Sequence, residues 1–506
     1  MASKRPKPVV LIVLDGWGIR EQEEHNAVAL ARTPFYDSLV AHYPYTVLQA
    51  SEEAVGLPTG QMGNSEIGHM TLGSGKVLAT DLVRIAKSIR TRQWHGNPAF
   101  RELFEHVKKY GSTLHVQGLV SPGGVHSHMD HLVAFLEAAK EHGVEKVAIH
   151  AFTDGRDTPP QSAAEYLKKL EDVLQQVGIG FIASAAGRFY AMDRDNNWDR
   201  VAKAEAAIFE CTGKVCTPKK PSQLVSELYQ DGVLDEHMEP VVFMDGNGKT
   251  YPIGANDGVF YFNFRADRAR ALSQKILAKA KEHNICYVTM TEYDKTFECL
   301  VAFPPETIET TLAAEISRAG MKQAHIAETE KYPHATYFLN GGREEPHEGE
   351  RHIMVESRKD VPTHDLAPLM RAEGIADKAI ESMESGDDFL FINFANADMV
   401  GHTANQPAII IAVEEVDKHL QRVVDAAQQA GGVVFVTADH GNAEMMIDPV
   451  TGEKHTAHTT NLVPGILTLG GVRLRTGGML ADVAPTLLGI MELPVPAAMT
   501  GKSLVQ

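Results

Sequence analysis

Three short stretches of this sequence gather carboxylates and imidazoles: Asn396-Ala-Asp398-Met-Val-Gly-His402, Ala438-Asp439-His440-Gly-Asn442 and Lys454-His-Thr-Ala-His458. Asp398 and His402 stand four apart, which puts both on one face of a helix. Asp439 and His440 are adjacent, and a further acid, Asp15, stands in Leu14-Asp-Gly-Trp-Gly18. Oxygen and imidazole donors without thiolate suit Mn²⁺, Zn²⁺ or a similar borderline cation, not an iron–sulfur or Cys₄ zinc site. The set is too large for one catalytic ion that keeps an open position. It is right for two, the arrangement that clamps both oxygens of a displacement at phosphorus. The candidate nucleophile is Ser65, in Gly60-Gln-Met-Gly-Asn64-Ser65-Glu-Ile-Gly68-His69, where Asn64 offers an amide donor. A serine hydroxyl is weak at neutral pH, and a coordinated cation activates it. Two dications against three aspartates leave the site positive and attractive to a phosphoryl group. Taken singly, an Asp-x-x-x-His pair is an ordinary surface pair and a Gly-rich serine an ordinary turn; their joint occurrence carries the argument.

A second set lies mid-chain. It comprises Gly123-Gly-Val-His126-Ser-His128, Thr153-Asp-Gly-Arg156-Asp157-Thr-Pro-Pro160, Gly187-Arg188 with Arg194, and Asn263-Phe-Arg265-Ala-Asp-Arg268. Arginines in turns rich in Gly, Asp and aromatics present planar forks that match carboxylate or phosphate, so several together would hold a small dianionic acid. Solvated surface charge is the rival for any one of them. His126, His128 and His131 as a third metal site is another, since His-x-His on a strand places both rings on one face.

These groups need elements to aim them. Val9–Leu14 and Phe389–Phe394 read as buried strands, Gln406–Ala430 as an amphipathic helix ended by Gly431-Gly432, and Val433–Thr437 as the next strand. Strand, helix, strand is a crossover between parallel strands, whose C-terminal ends share the edge where open α/β sheets place ligands. Asp15, Asp398 and Asp439 each follow such a strand. Metal candidates lie before residue 66 or after 397, clamp candidates between 126 and 268. That segregation implies one domain inserted into another: 1–76 with 309–506 binding the metals, and 77–308 binding substrate, which would sit in the cleft between them.

The 506 residues are 43% hydrophobic and 23% charged, with a formal charge of -18, enough apolar content for a large core. An acidic chain lacks the footprint of a nucleic-acid or anionic-membrane binder, so an anionic small molecule needs a local positive site. Lys4, Arg5 and Lys7 precede Val9–Leu14, but that run is far shorter than a membrane span and ends at Asp15. Four cysteines without CxxC spacing fit a reducing cytoplasm.

Leu14–Gly18, Gly60–His69, Gly124–His128, Thr153–Pro160, Glu330–His334, Phe338–Gly342, Asn396–His402, Asp439–Asn442 and Met499–Ser503 together resemble the cofactor-independent phosphoglycerate mutases of the alkaline phosphatase superfamily. The resemblance spans essentially the whole chain. It implies an alkaline-phosphatase-like three-layer α/β domain with a second α/β domain inserted into it, and a cytoplasmic monomer with hinged domains. It implies interconversion of 3- and 2-phosphoglycerate through a phosphoserine at Ser65, without 2,3-bisphosphoglycerate. One Mn²⁺ would be held by Asp398, His402 and His458, the other by Asp15, Ser65, Asp439 and His440, with Zn²⁺ or Co²⁺ as other candidates. His126, Arg156, Asp157, Arg188, Arg194, Arg265 and Arg268 would grip the substrate, and Lys331 would neutralise the moving phosphoryl group. Ser65, Asp157 and Lys331 are then catalytic, with Asp157 carrying protons between the two hydroxyls and His126 as its alternative. One departure is Pro122, where the family usually has Asp; proline fixes φ and removes an N–H, so the His126 loop would sit slightly differently. Rival readings are a metal-dependent phosphatase or phosphosugar mutase without the clamp, a sulfatase without its Cys/Ser-x-Pro-x-Arg motif, and a non-catalytic binder.

Overall fold

Val9–Leu14, Phe389–Phe394 and Val433–Thr437 are nearly unbroken apolar runs buried along their whole length, the mark of parallel strands covered by helices on both faces. They form the centre of one sheet in a computed structural model that describes residues 5–506. Lys4 lies outside the described residues. The chain folds into two units, residues 1–80 with 307–506, and residues 81–306 inserted between them.

In chain order, β1 (Val9–Leu14) and β2 (Tyr45–Gln49) belong to the first unit. The second contains β3 (Leu114–Leu119), β4 (Val147–Thr153), β5 (Phe181–Gly187), β6 (Val215–Thr217), β7 (Val241–Phe243), β8 (Gly258–Tyr261), β9 (Cys286–Thr291) and β10 (Leu300–Phe303). The first then resumes with β11 (Gln323–Glu328), β12 (Glu350–Val355), β13 (Phe389–Phe394), β14 (Val433–Thr437), β15 (Val463–Leu467) and β16 (Gly478–Met479).

Among the described residues these strands make two eight-stranded sheets, β12-β11-β13-β1-β14-β15-β2-β16 and β10-β9-β8-β3-β4-β5-β7-β6. In the first, β12, β11, β13, β1 and β14 run parallel. The helix Gln406–Gln429 makes the crossover from β13 to β14, with β1 seated between them. Ala412, Val413, Val416, Leu420, Val423 and Val424 are buried along it. In the second sheet β8, β3, β4 and β5 are parallel neighbours. The architecture is the α/β class that the alternating pattern implies, one unit inserted into the other. Each unit thus owns a row of parallel strand ends on which loops can converge. No helix among the described residues is long and apolar enough to cross a membrane.

The second unit's core is aromatic. Phe100 is fully buried, with its ring 4.6 Å from Trp94 and 5.0 Å from both Phe135 and Phe260. Truncating so large a buried ring removes its transfer energy and leaves a cavity. Phe100→Ala is expected to destabilise this unit by about 3–5 kcal/mol, measured by urea denaturation followed through Trp94 fluorescence. A loss below about 1 kcal/mol would show that the cluster does not hold the unit together.

Candidate active site

Ser65 is the first residue of the helix Ser65–Ser74, where the helix dipole favours negative charge on its oxygen. Asn64 caps that helix, its side-chain oxygen accepting from the Ile67 N–H (2.9 Å). The residue expected to donate to a ligand therefore has its carbonyl end committed to starting the helix. Ser65 Oγ lies 2.9 Å from His440 Nε2 and 2.7 Å from Lys331 Nζ.

Lys331 joins the strand-end acids, donating to Asp15 Oδ1 (2.6 Å) and Asp398 Oδ2 (2.7 Å) as well as to Ser65. Asp15 follows β1, Asp398 lies in the short helix Asn396–Gly401 after β13, and Asp439 follows β14. All three carboxylates and the lysine are buried. Burial works against the ammonium, but Asp15, Asp398 and Asp439 outweigh it and raise the Lys331 pKa above its ordinary value. Burial and the neighbouring Asp439 raise Asp15. Asp398 is held well below the carboxylate range because Lys331 overcomes the cost of its burial. Three acids against one lysine leave a surplus of negative charge.

The donors fit metal ions. Asp398 Oδ1 lies 3.4 Å from His402 Nε2 and 3.3 Å from His458 Nε2, and the two nitrogens are 3.3 Å apart. Donors at about 2.0–2.1 Å from one tetrahedral ion stand about 3.4 Å from each other. His402 Nδ1 lies 2.8 Å from the Thr456 carbonyl and His458 Nδ1 2.9 Å from that of Gly63. Those carbonyls take the ring N–H and turn each Nε2 lone pair towards Asp398. Three acceptors facing one another call for a cation. Asp15, Asp439 and His440 form a second convergent group, in which the buried Asp439 Oδ2 has no hydrogen-bond partner and lies 3.3 Å from His440 Nε2.

A third group, His325, Glu350 and His352, differs. His325 Nδ1 lies 2.9 Å from the Ala335 carbonyl and Nε2 3.3 Å from Gln323 Oε1. The Gln323 amide is fixed that way round because its Nε2 donates to the Ala313 carbonyl (2.8 Å). Both nitrogens of His325 thus lie against protein oxygens, unlike the Nε2 atoms of His402 and His458.

The second unit gathers the arginine set at the ends of adjacent strands. His126 follows β3, Arg156 and Asp157 follow β4, Arg188 begins at the end of β5, and Arg265 and Arg268 follow β8. Arg188 is buried and donates through Nη1 to Asp154 Oδ1 (2.7 Å) and Asp157 Oδ2 (2.6 Å). Asp267 gathers Arg265 (3.0 Å), Arg194 (3.6 Å) and His126 (3.7 Å). Arg268 donates to the Met192 carbonyl (3.2 Å), and its pKa is lowered by burial and by Arg188, Arg194 and Arg156. That mutual repulsion marks a cationic cluster suited to a small anion. Burial and Arg188 push His126 down to about 4, so it is neutral at physiological pH. Arg156, half-exposed like Arg194 and Arg265, lies 3.5 Å from Glu236.

The rival trio does not come together as a site. His128 caps the helix Met129–Glu141 from a loop, accepting from the Asp130 N–H, and is not on a strand. Among the described residues, His126, His128 and His131 make no convergent ligand group. Pro122 is exposed, while the neighbouring Ser121 Oγ donates to Asp154 and accepts from the Gly123 N–H. The sequence reading missed Asn393, which donates to Asp15 Oδ2 (2.8 Å), and His69, whose Nδ1 lies 3.3 Å from Asp439 Oδ2. An asparagine inside the apolar run Phe-Leu-Phe-Ile-Asn-Phe was the available signal for the first. His69 stood within a quoted motif, but nothing in its spacing marked it.

A family model described as the metalloenzyme superfamily matches residues 7–495. A 2,3-bisphosphoglycerate-independent phosphoglycerate mutase of Syntrophotalea carbinolica is 48% identical over 99% of this chain and 98% of its own. One of Chloroflexus aggregans is 46% identical over 99% of both chains. Among solved structures, the Leishmania mexicana phosphoglycerate mutase at low cobalt concentration aligns with a TM-score of 0.54 and 30% identity, covering 100% of this chain and 99% of that one.

The two exposed-side imidazoles set a proton dependence. In the metal-free protein the hydrogen bond to Asp398 raises His402, and the same carboxylate raises His458 against the effect of its burial. A raised histidine pKa stabilises the metal-free fold below the unfolded-state value, and that contribution is lost as pH rises through the folded value. Cation binding needs the unprotonated rings, so protons and cation compete. Apparent Mn²⁺ affinity is expected to rise roughly tenfold or more between about pH 6 and about pH 8, read by equilibrium dialysis. Equal affinity at both pH values would remove the two imidazoles as ligands.

Proposed function

This chain belongs to the 2,3-bisphosphoglycerate-independent phosphoglycerate mutase family, isomerases that interconvert 3- and 2-phosphoglycerate, and from that premise we propose that Ser65 carries the phosphoryl group between the two positions. The observation that carries this is the placement of Ser65 Oγ at a helix N-terminus, against Lys331 Nζ and beside convergent acceptor groups. We assign two Mn²⁺ ions, one to Asp398, His402 and His458 and one to Asp15, Ser65, Asp439 and His440, which when bound supply the positive charge that lowers the serine pKa and neutralises phosphoryl oxygens; Zn²⁺ or Co²⁺ satisfies the same donors.

The chain's own groups do the rest. Ser65 Oγ, having lost its proton to solvent before substrate is engaged, attacks phosphorus, the bond to the glycerate oxygen breaks, and phosphoserine forms with that oxygen left as an alkoxide. Lys331, held cationic by the buried acids, pairs with the transferring phosphoryl oxygens. Asp157, a carboxylate beside Arg188, takes the proton of the other glycerate hydroxyl and passes it to the oxygen the phosphoryl group has left, and the deprotonated oxygen then attacks phosphoserine and releases Ser65. His126 is the alternative proton carrier, since burial keeps it neutral. Arg188, Arg194, Arg265 and Arg268, with Arg156, hold glycerate by its carboxylate throughout. Retention distinguishes a mutase from a phosphatase, because water would otherwise accept the phosphoryl group. We further propose a monomer acting in the cytoplasm; the four free cysteines support the reducing compartment alone.

Phosphorus NMR of Mn²⁺-loaded enzyme with 3-phosphoglycerate, free of bisphosphoglycerate, is expected to show 2-phosphoglycerate growing in. Ser65→Ala should reduce turnover by about 10³-fold or more and abolish a phosphoryl mass increment on the quenched protein. Turnover retained in Ser65→Ala would eliminate the phosphoserine route.

Arg265→Ala tests retention separately. It should lower kcat/KM roughly ten- to hundredfold and divert product to inorganic phosphate as glycerate escapes. Unchanged kcat/KM with no phosphate release would remove Arg265 from the clamp.

A further inference from the structure

Glu444 lies outside every ligand and clamp set, yet its side chain is fully buried. Its Oε2 accepts from the backbone N–H groups of Gly18 (3.1 Å) and Asn442 (2.8 Å). Its Oε1 accepts from Asn461 Nδ2 (2.9 Å) and from the Thr459 hydroxyl. These four donors come from three separate stretches of chain. Gly18 closes the turn that begins at Asp15, Asn442 closes the turn that begins at Asp439 and His440, and Thr459 directly follows His458. Asn442 reaches a fourth stretch, its Nδ2 donating to Asp398 Oδ1 (2.8 Å).

The same carboxylate accounts for two glycines of the sequence motifs. A Cβ on Gly18 would fall 2.3 Å from Glu444 Cδ, and one on Gly441 would fall 2.4 Å from Glu444 Oε1. Both turns close on the carboxylate so tightly that no side chain fits between. An ionised carboxylate only accepts, so it satisfies four converging donors at once. An amide in its place would turn N–H towards N–H.

We infer that Glu444 is a positioning residue for both metal centres. Its carboxylate fixes the spacing of the turns that bear Asp15, Asp439 and His440, and His458, and through Asn442 it orients Asp398. This rests on the two-cation reading above. A ligand substitution empties one centre. Loss of Glu444 removes no ligand but shifts the ligands relative to one another, so it weakens both centres together.

The test titrates metal-free protein with Mn²⁺ by equilibrium dialysis, counting free Mn²⁺ by EPR. Wild type is expected to bind two equivalents and His458→Ala to lose one. Glu444→Gln should keep two, both weakened roughly ten- to hundredfold, with KM for 3-phosphoglycerate unchanged once Mn²⁺ is saturating. Thr459→Val, which removes one neutral donor, guards against a misfolded Glu444 variant; it should weaken both sites in the same direction, and Thr459→Ser should restore them. Wild-type affinities in Glu444→Gln, or a lower melting temperature of the metal-free protein with the Mn²⁺ half-saturation unmoved, would overturn the inference. A wild type that binds no pair of ions would overturn the two-cation reading itself and this inference with it.

Discussion

Asp15, Asp398 and Asp439 are buried side by side, and removing each ionised carboxylate from water costs several kcal/mol before any partner is counted. Repulsion among the three adds to that cost. Positive charge and directed N–H groups must therefore be supplied where they meet, and much of the first unit is arranged to supply them. Lys331 reaches in from the loop after β11 to two of the acids. Asn393 donates to Asp15 from inside β13, and Asn442 donates to Asp398. A single lysine leaves net negative charge, which is why the imidazoles of His402, His440 and His458 stand where cations would complete the balance. A surplus of buried negative charge beside unprotonated imidazoles is a donor set that a divalent cation would satisfy.

Both units solve their positioning problem with the same geometry. Parallel strands buried on both faces end in register, so the residues just after them are neighbours in space although distant in sequence. In the first unit that brings Asp15, Asp398 and Asp439 together from β1, β13 and β14, three adjacent strands. In the second it brings His126, Asp157, Arg188 and Arg265 together from β3, β4, β5 and β8, four adjacent strands. The difference lies in what surrounds each cluster. The acids are desolvated with a single lysine among them, which leaves negative charge that a cation would offset. The arginines are partly balanced by Asp154, Asp157 and Asp267 and so remain open to an anion without collapsing into ion pairs alone.

The features legible in the sequence follow from these strands. Apolar runs such as Val9–Leu14 and Phe389–Phe394 declare themselves as buried parallel strands, and an acid directly after such a run can only stand at the ligand edge. Asp398 and His402 were legible because four residues is one helical turn. Residues that act across the chain were not. Glu444 meets Gly18 and Thr459 through contacts that no local spacing encodes. Asn64 looked like a ligand donor and is a helix cap, because the cap depends on where the helix begins and the glycines before it hide that start. His128 looked like a strand residue beside His126, but strand β3 ends at Leu119 and the pair lies in the following loop.

Composition alone does not separate a candidate metal centre from a hydrogen-bonded cluster, and one sheet of this chain carries two histidine–carboxylate groups that differ in this respect. His402, Asp398 and His458 make one histidine–carboxylate–histidine group, open to solvent at His402; His325, Glu350 and His352 make another, with Glu for Asp and more deeply buried. The difference lies in the far side of each ring. In the first group each Nδ1 is taken by a backbone carbonyl, of Thr456 or Gly63, leaving both Nε2 lone pairs directed at the same point as the carboxylate oxygen. In the second, the nitrogen of His325 nearest Glu350 is also the one beside the Ala335 carbonyl, and the other ring nitrogen faces Gln323 Oε1. Glu350 for its part accepts from Asn340 Nδ2 (2.7 Å), the His347 N–H (2.6 Å) and His352 (2.7 Å), so its lone pairs are used. In the first group both Nε2 atoms face the carboxylate and each other with no protein carbonyl against them, while in the second both ring nitrogens of His325 lie against protein oxygens. That distinction, made outside the ligands themselves, is what favours a cation at the first group and a structural polar cluster at the edge of the sheet.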